Sequence, residues 1–300
     1  MQSILCIGHS TYDITIPMPN YPVENIKYRI KNIVESGGGP ANNAAYLLAK
    51  WEVKTYYAGS VGNDLYGNRI KKELTDGGVD TTYLEVKDNM RTSTSYIIAN
   101  LENGSRTILG HPNLDMICTN QNIALNPAVI LVDGYHYELA KQTLINNPDA
   151  ISILDAGRVT KETLSLGTMV DYLVCSRDFA EQFCRQKIDI NNKDILRLIY
   201  NNMAASFKTN IIITLGAKGC LYYKNNDVEI LPPYQVKAVD STGAGDIFHG
   251  AFAYGLFHHY DLEKTLRIAS IAGALSVTKI GSKQSMPALQ TVMEIYQHVD

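Results

Sequence analysis

The chain has 300 residues, 45% of them apolar and 19% charged, with a formal net charge of −3. That length holds one large α/β domain with an accessory piece, or about two domains, and the composition is that of an ordered protein without low-complexity tracts. The weak acidity excludes the broad basic face that duplex nucleic acid requires, while leaving room for a local basic pocket suited to a nucleotide or a sugar phosphate. Five cysteines, at 6, 118, 175, 184 and 220, form no C-x-x-C pair and suit a reduced compartment better than a disulfide framework. The N-terminal "MQSILCIGHS" lacks the basic flank of a signal peptide, and no apolar run reaches membrane-spanning length. A cytoplasmic protein with no nucleic-acid or membrane partner is expected.

Along the chain, short apolar runs with strand character occur at Ile4–Ile7, 55–58, 128–132, 151–154, 172–174 and 211–214. Helix-like segments at 41–50, 66–74, 138–144, 193–205, 247–257 and 262–277 follow most of them. This alternation predicts a mostly parallel sheet covered by helices on both faces, with ligands beyond the strand C-termini. Two stretches break the rhythm. "DITIPMPNYPVENIKYRIKNIVE" carries three prolines, and "TSTSYIIANLENGSRTILGH" reads as a hairpin turning at Glu102-Asn103-Gly104. Together they predict a small antiparallel sheet, either a lid that excludes water from a pocket or an edge extension and dimer contact.

Three segments carry chemistry. In "SGGGPANNAAYLLAK", Gly37, Gly38 and Gly39 precede Pro40 at a first helical position, and Asn42 and Asn43 follow on the first turn. The glycines admit a ligand against the backbone and the amides can read several hydroxyls, although a tight turn with capping side chains has the same pattern. "VDSTGAGD" places a small-residue turn and Asp246 at the start of an apolar helix, where free N–H groups and the helix dipole favour an anion. It is neither a Walker loop nor a dinucleotide fingerprint. A carboxylate beside an anion cradle fits phosphoryl transfer, the cradle neutralising the moving group while the aspartate, kept ionised by the dipole, takes a hydroxyl proton. A structural cap is the competing reading of Asp246. "IIITLGAKGCLYY" offers Thr214, Gly216 and Gly219 around a turn at a strand end, a place where a nucleotide can lie. His249, in an apolar helix, reads as a packing residue, and no H-E-x-x-H or G-x-S-x-G pattern occurs.

With "SGGGPANN" near the front and "DSTGAGDIFHGAF" near the back, the whole chain resembles the ribokinase-like, or PfkB, family of carbohydrate kinases. Between them, "GSVGNDLYGNRIKKELTDGGVDTTY" and "TLGAKGC" are similar to further family segments. The resemblance implies a single domain, 1–300, with a three-layer α/β/α core (1–12, 38–88 and 112–300) and a discontinuous β lid (13–37 and 89–111), paired through the lid as a homodimer. It implies ATP with Mg2+, and an ATP-dependent transfer to a primary hydroxyl of a small sugar. Asp246 would be the base, and Gly243, Ala244 and Gly245 the anion hole. Asp13, Gly38, Gly39 and Asn43 would bind the sugar, while Ser176, Thr214, Gly216 and Gly219 would line the nucleotide site.

"GGGPA", "GDIFHGAF", "GSRTIL" and "TKIGSKQSMP" look most similar to the ketose-directed members, ketohexokinase and sulfofructose kinase among them, so a fructose-type or sulfofructose-type substrate is expected. Arg106 on the hairpin would then meet an anionic or strongly hydrogen-bonding substrate group, flanked by Asp155 and Arg158, unless these form surface ion pairs. One departure concerns the metal. Where many members carry N-x-x-E, this chain has "CSRDFAE", with Ser176 and Phe179 at those positions. Asp178, Glu181 or Asp240 could stand in, Asp240 equally as a cap, or the ATP oxygens could hold Mg2+. A monovalent cation such as K+ near 276–282 is implied by the resemblance alone. The rivals are a nucleoside kinase and a non-catalytic sugar-binding sensor on the same scaffold.

Overall fold

The computed structural model describes residues 2–119 and 122–299, so positions 1, 120, 121 and 300 of the expected core lie outside the described residues. The first third of the chain contains β1 (Ile4–Ile7), β2 (Thr11–Met18), β3 (Val34–Gly38), α1 (Pro40–Lys50), β4 (Thr55–Gly62), α2 (Leu65–Asp76), β5 (Asp80–Lys87), β6 (Thr94–Asn100) and β7 (Ser105–His111). There follow β8 (Val129–Val132), α3 (Tyr137–Asn146), β9 (Ile151–Ala156), α4 (Lys161–Gly167), β10 (Tyr172–Ser176), α5 (Arg177–Cys184) and α6 (Lys193–Phe207). The last third has β11 (Asn210–Thr214), β12 (Cys220–Lys224), β13 (Asp227–Leu231), α7 (Ala244–Phe257), α8 (Leu262–Ser276) and α9 (Leu289–Val299).

All of β1 is buried, yet its side chains part company: Ile4 and Cys6 join one apolar cluster, Leu5 and Ile7 another. A strand buried on both faces must lie in the middle of three layers. The same division holds along β8, β10 and β11. One cluster is closed by α1, α2, α7, α8 and α9, and the other by α3, α4, α5 and α6. The large sheet has the order β13-β12-β11-β10-β9-β8-β1-β4-β5, parallel from β5 to β11, with β12 and β13 added antiparallel.

A second sheet has the order β3-β2-β6-β7. The proline-rich stretch supplies β2 and β3, and the expected hairpin is β6 and β7. Its two outer pairings are antiparallel as expected, but β2 and β6 in the centre run parallel, because two separate hairpin-like units are laid side by side. The register places Asp13 opposite Ser95 and Arg106 opposite Ala99, hence both on one face.

Candidate active site

Chain order reverses at β1, which pairs with β4 on one side and β8 on the other. The crevice of an open parallel sheet forms at such a point, beyond the strand C-termini. Here it is organised by Asp133, directly after β8. Its Oδ2 accepts from the His9 N–H at 2.9 Å and the Ala41 N–H at 3.2 Å, and its Oδ1 accepts from the Tyr135 N–H at 3.0 Å. Asp133 thus caps α1 from a distant strand. The helix's own N-cap, Gly39, has no side chain to do so and sits at φ 107°, where a Cβ would lie 2.1 Å from the His9 carbonyl oxygen.

The glycine strand β3 runs against Asp13 of β2 so closely that a Cβ on Gly38 would meet Asp13 Oδ2 at 2.0 Å. The Gly37 N–H donates to Glu73 Oε2 at 2.6 Å, and the buried Lys283 donates to the same oxygen at 3.2 Å. On the first turn of α1, Asn42 Nδ2 donates to Ser10 Oγ at 3.2 Å and Asn43 Nδ2 to Asp246 Oδ2 at 2.7 Å. The Oδ1 atoms of Asp13, Asn42 and Asn43 are buried with no protein donor among the described residues. Buried acceptors of this kind call for donors from a ligand or water.

The turn before α7 has the open, glycine-rich form expected of an anion site. Gly243 takes φ 77°, no side chain caps the helix, and a Cβ on Gly245 would project into open space. The first N–H groups of such a helix have no intrahelical acceptor. Asp240 holds the turn: its Oδ1 accepts from the Thr242 N–H at 2.9 Å and hydroxyl at 2.6 Å, and its Oδ2 from the Gly281 N–H at 2.9 Å. Arg106 reaches across from β7 and donates to Ser241 Oγ at 2.8 Å, while the Ser241 N–H donates to the Gly104 carbonyl at 3.1 Å. The small sheet therefore rests on the turn. Asp246 meets Asn43 because α7 crosses α1 closely, Gly250 lying where a Cβ would stand 3.1 Å from Ala44 Cα.

Four carboxylates, Asp13, Asp133, Asp155 and Asp246, act on one another electrostatically in this crevice. Burial pushes Asp13 up to about 7 and Asp133 up to about 6, with the neighbouring Asp246 adding to both. Burial likewise drives Asp155 well above the usual carboxylate range, with Asp246 and Asp133 adding to it. Asp246 itself is pushed up by burial, against the expectation that the helix dipole alone sets its state; Asn43, His249 and Arg106 oppose the rise. Asp155 Oδ2 lies 3.1 Å from His249 Nδ1, so it is engaged inward rather than with Arg158, which is exposed. Beside the crevice, the rings of His9 and Tyr135 stack at 4.4 Å.

The expected nucleotide-side residues gather at the ends of β10 and β11. Ser176 caps α5, its Oγ accepting from the Phe179 N–H and donating to the Gly157 carbonyl, both at 3.0 Å. The Thr214 hydroxyl donates to the Cys175 carbonyl at 3.2 Å. Gly216 has φ 59° with open space where a Cβ would be; Gly219 has φ 90° and packs on the Leu231 carbonyl. Phe179 is fully buried in an aromatic cluster with Phe183 and Phe207. Glu181 pairs with Lys187 and accepts from the Ile188 N–H. Asp178 is exposed on the first turn of α5. With both Asp240 oxygens also engaged, these residues do not fit a protein-built Mg2+ cage, and no cluster of three or more His, Cys, Asp or Glu suited to a metal occurs among the described residues.

Sequence reasoning singled out Asp13, Gly38, Gly39, Asn43, 243–245 and Asp246, which meet at the crevice. It also noted Asn42 beside Asn43, and it missed Asp133, Glu73 and Lys283. Only Asp133 leaves a trace, as the carboxylate that ends the buried run "AVILVDG".

Residues 1–289 match the model of the pfkB family carbohydrate kinases. The deoxyribokinase of Salmonella typhi is 26% identical over 311 aligned positions, covering 97% of each chain. A candidate ribokinase of Agrobacterium tumefaciens superposes with a TM-score of 0.85 at 28% identity over 99% of this chain and 98% of that one. The Arabidopsis thaliana ribokinase, solved with ribose and ATP, gives 0.80 at 22% identity over 99% of each. Fold, crevice and family model agree: this chain belongs to the pfkB family of carbohydrate kinases.

Proposed function

We propose that the protein transfers the γ-phosphoryl group of ATP to a primary hydroxyl of a small uncharged sugar in furanose form, a fructose-type ketose first, with Asp246 accepting the hydroxyl proton. The observation that carries this reading is the placement of Asp246. It sits on the first turn of α7, held by Asn43 at 2.7 Å, beside an open anion turn and opposite the unpartnered Asp13 Oδ1. Sugar hydroxyls would donate to Asp13, Asn42 and Asn43. The turn at 243–245 would take the γ-phosphoryl charge, and in-line attack would then need mainly positioning and neutralisation.

Arg106 belongs with the phosphate side in this reading, since it already donates to Ser241 of the anion turn. Four carboxylates, offset at the Asp13 end by the buried Lys283, disfavour a sulfonated substrate. Ser176, Thr214, Gly216 and Gly219 would border ATP, and the open positions at Gly216 and Gly245 suit close approach of phosphates. Mg2+ would come to the site with ATP rather than in a cage of Ser176, Asp178, Glu181 or Asp240, and would supply neutralisation of phosphate charge. The loop at 276–282 packs on the anion turn, Ser282 against Gly243, which supports testing K+ dependence there. The small sheet would act as lid and dimer contact. No helix among the described residues is long and apolar enough to cross a membrane, and all five cysteines are free thiols, in keeping with a reducing cytoplasm.

A second reading, a nucleoside kinase, is favoured by the His9–Tyr135 stack, a flat surface at the crevice. An ATP-coupled panel of fructose, ribose, deoxyribose, sulfofructose and nucleosides separates the two. Within the productive pair, Asp246→Asn should lower kcat by about 10²–10⁴-fold while sugar binding measured by calorimetry stays within a few fold. Turnover near that of the parent would remove Asp246 from the mechanism.

A further inference from the structure

His249 lies one turn beyond Asp246 and is buried, with an acceptor at every polar edge. Its Nδ1 is 2.6 Å from the Gly245 carbonyl oxygen and 3.1 Å from Asp155 Oδ2, and its Nε2 is 3.1 Å from the Val174 carbonyl oxygen of β10. A neutral imidazole has one N–H and one lone pair. In either neutral tautomer a ring lone pair would face a carbonyl oxygen, Nδ1 the Gly245 oxygen at 2.6 Å or Nε2 the Val174 oxygen at 3.1 Å. We infer that His249 carries a proton on both ring nitrogens, pairs as an imidazolium with the Asp155 carboxylate, and holds the Gly245 carbonyl from behind the anion turn as a positioning residue for transfer. Burial works against this charge, pushing the imidazole down and Asp155 up; the three acceptors are what sustain it.

The groups around it are few. Asp155 comes from β9 and Asp246 from its own helix, with Asp133 beyond β8 acting on Asp155. From α1 the contact to this region is the neutral Asn43 on Asp246. The α8 helix packs through Gly273 against Ala244 and Phe248, its Glu263 paired with Arg267 and Lys224. Arg106 and Asp13 act on Asp246 from the small sheet. Lys283 serves the Asp13 end of the crevice and Arg106 the turn, while His249 is the group in contact with Asp155, and removing it leaves Asp246 harder to ionise.

This role rests on the kinase reading of the anion turn, so the decisive measurement is independent of activity. Uniformly 15N-histidine-labelled protein, with His249 assigned by comparison with His249→Asn, should show both ring nitrogens protonated at about pH 7.5 without ligand. A lone-pair nitrogen signal for His249 at that pH overturns the charge assignment. In kinetics, His249→Gln and His249→Asn should lower kcat about 10-fold or more with sugar KM changed less than about 3-fold, and move the acid limb of the kcat/KM profile to higher pH. An unmoved acid limb with unchanged kcat overturns the positioning role. Should no member of the ATP-coupled panel be phosphorylated, the kinase reading fails while the nitrogen spectra still decide the charge of His249.

Discussion

Asp13 shows how a single residue sacrifices stability for a site. It is buried, its Oδ1 has no protein donor among the described residues, and its pKa stands at about 7 against an ordinary 3.8. Between those values the folded protein holds the proton more tightly than the unfolded chain, so the ligand-free protein loses stability as pH rises through that window. Asp13→Asn should therefore raise the melting temperature at about pH 8 and leave it nearly unchanged at about pH 4. The full penalty removed is ~4 kcal/mol at most, from a shift of about three units. Equal effects at both pH values in calorimetry would show that the carboxylate's charge is not what costs stability. Asp246 was legible in the sequence because it sits inside a local motif whose glycines advertise close approach, whereas Asp13, with no glycine beside it, was named only through the family resemblance. Asp133, Glu73 and Lys283 were not legible, since each acts on a partner far along the chain: Asp133 on Ala41, 92 positions away, and Lys283 on Glu73, 210 away. Chemistry that depends on tertiary closure leaves no local spacing to read.

At the scale of elements, the pairing of α1 with α7 brings base and amide together. Gly250 permits it, with a Cβ there falling 3.1 Å from both Ala44 Cα and Leu47 Cδ2. Gly250→Val should wedge the helices apart, costing about 1–3 kcal/mol by overpacking. The larger effect should be on rate: kcat falling about 10-fold or more as Asn43 leaves Asp246, with the far-ultraviolet circular dichroism unchanged. A variant that loses stability in urea melts but keeps kcat would uncouple the packing from the site. The parallel strands were legible because they are short apolar runs buried on both faces. β5 and β13 escaped notice: their few buried apolar residues are set among mostly half-buried threonines, lysines and acids, and position in the sheet, not pattern, makes them strands. The short α5 depends on a Ser176 cap and on Phe179 packing against α6 and its neighbours, which no single window displays.

For the whole molecule, the small sheet presents two unlike faces. One carries Asp13 and Arg106 toward the crevice; the other bears Tyr96, Ile98 and Leu109, with Tyr96 42% and Leu109 56% exposed. An apolar outer face on a projecting sheet favours pairing with a second copy about a two-fold axis. The parent protein is expected to sediment as a dimer at micromolar concentration, and Tyr96→Arg with Leu109→Arg as a monomer; a monomeric parent would refute lid-mediated pairing. The acid-lined crevice has a last consequence for the direction of traffic. A neutral polyol enters at no Coulombic cost, whereas its phosphate ester, formed among Asp13, Asp133, Asp155 and Asp246, is repelled by whichever of them are ionised. On the proposed reading the pocket evicts its own product, so turnover should resist inhibition by accumulated sugar phosphate and run forward even when little of it is being consumed downstream.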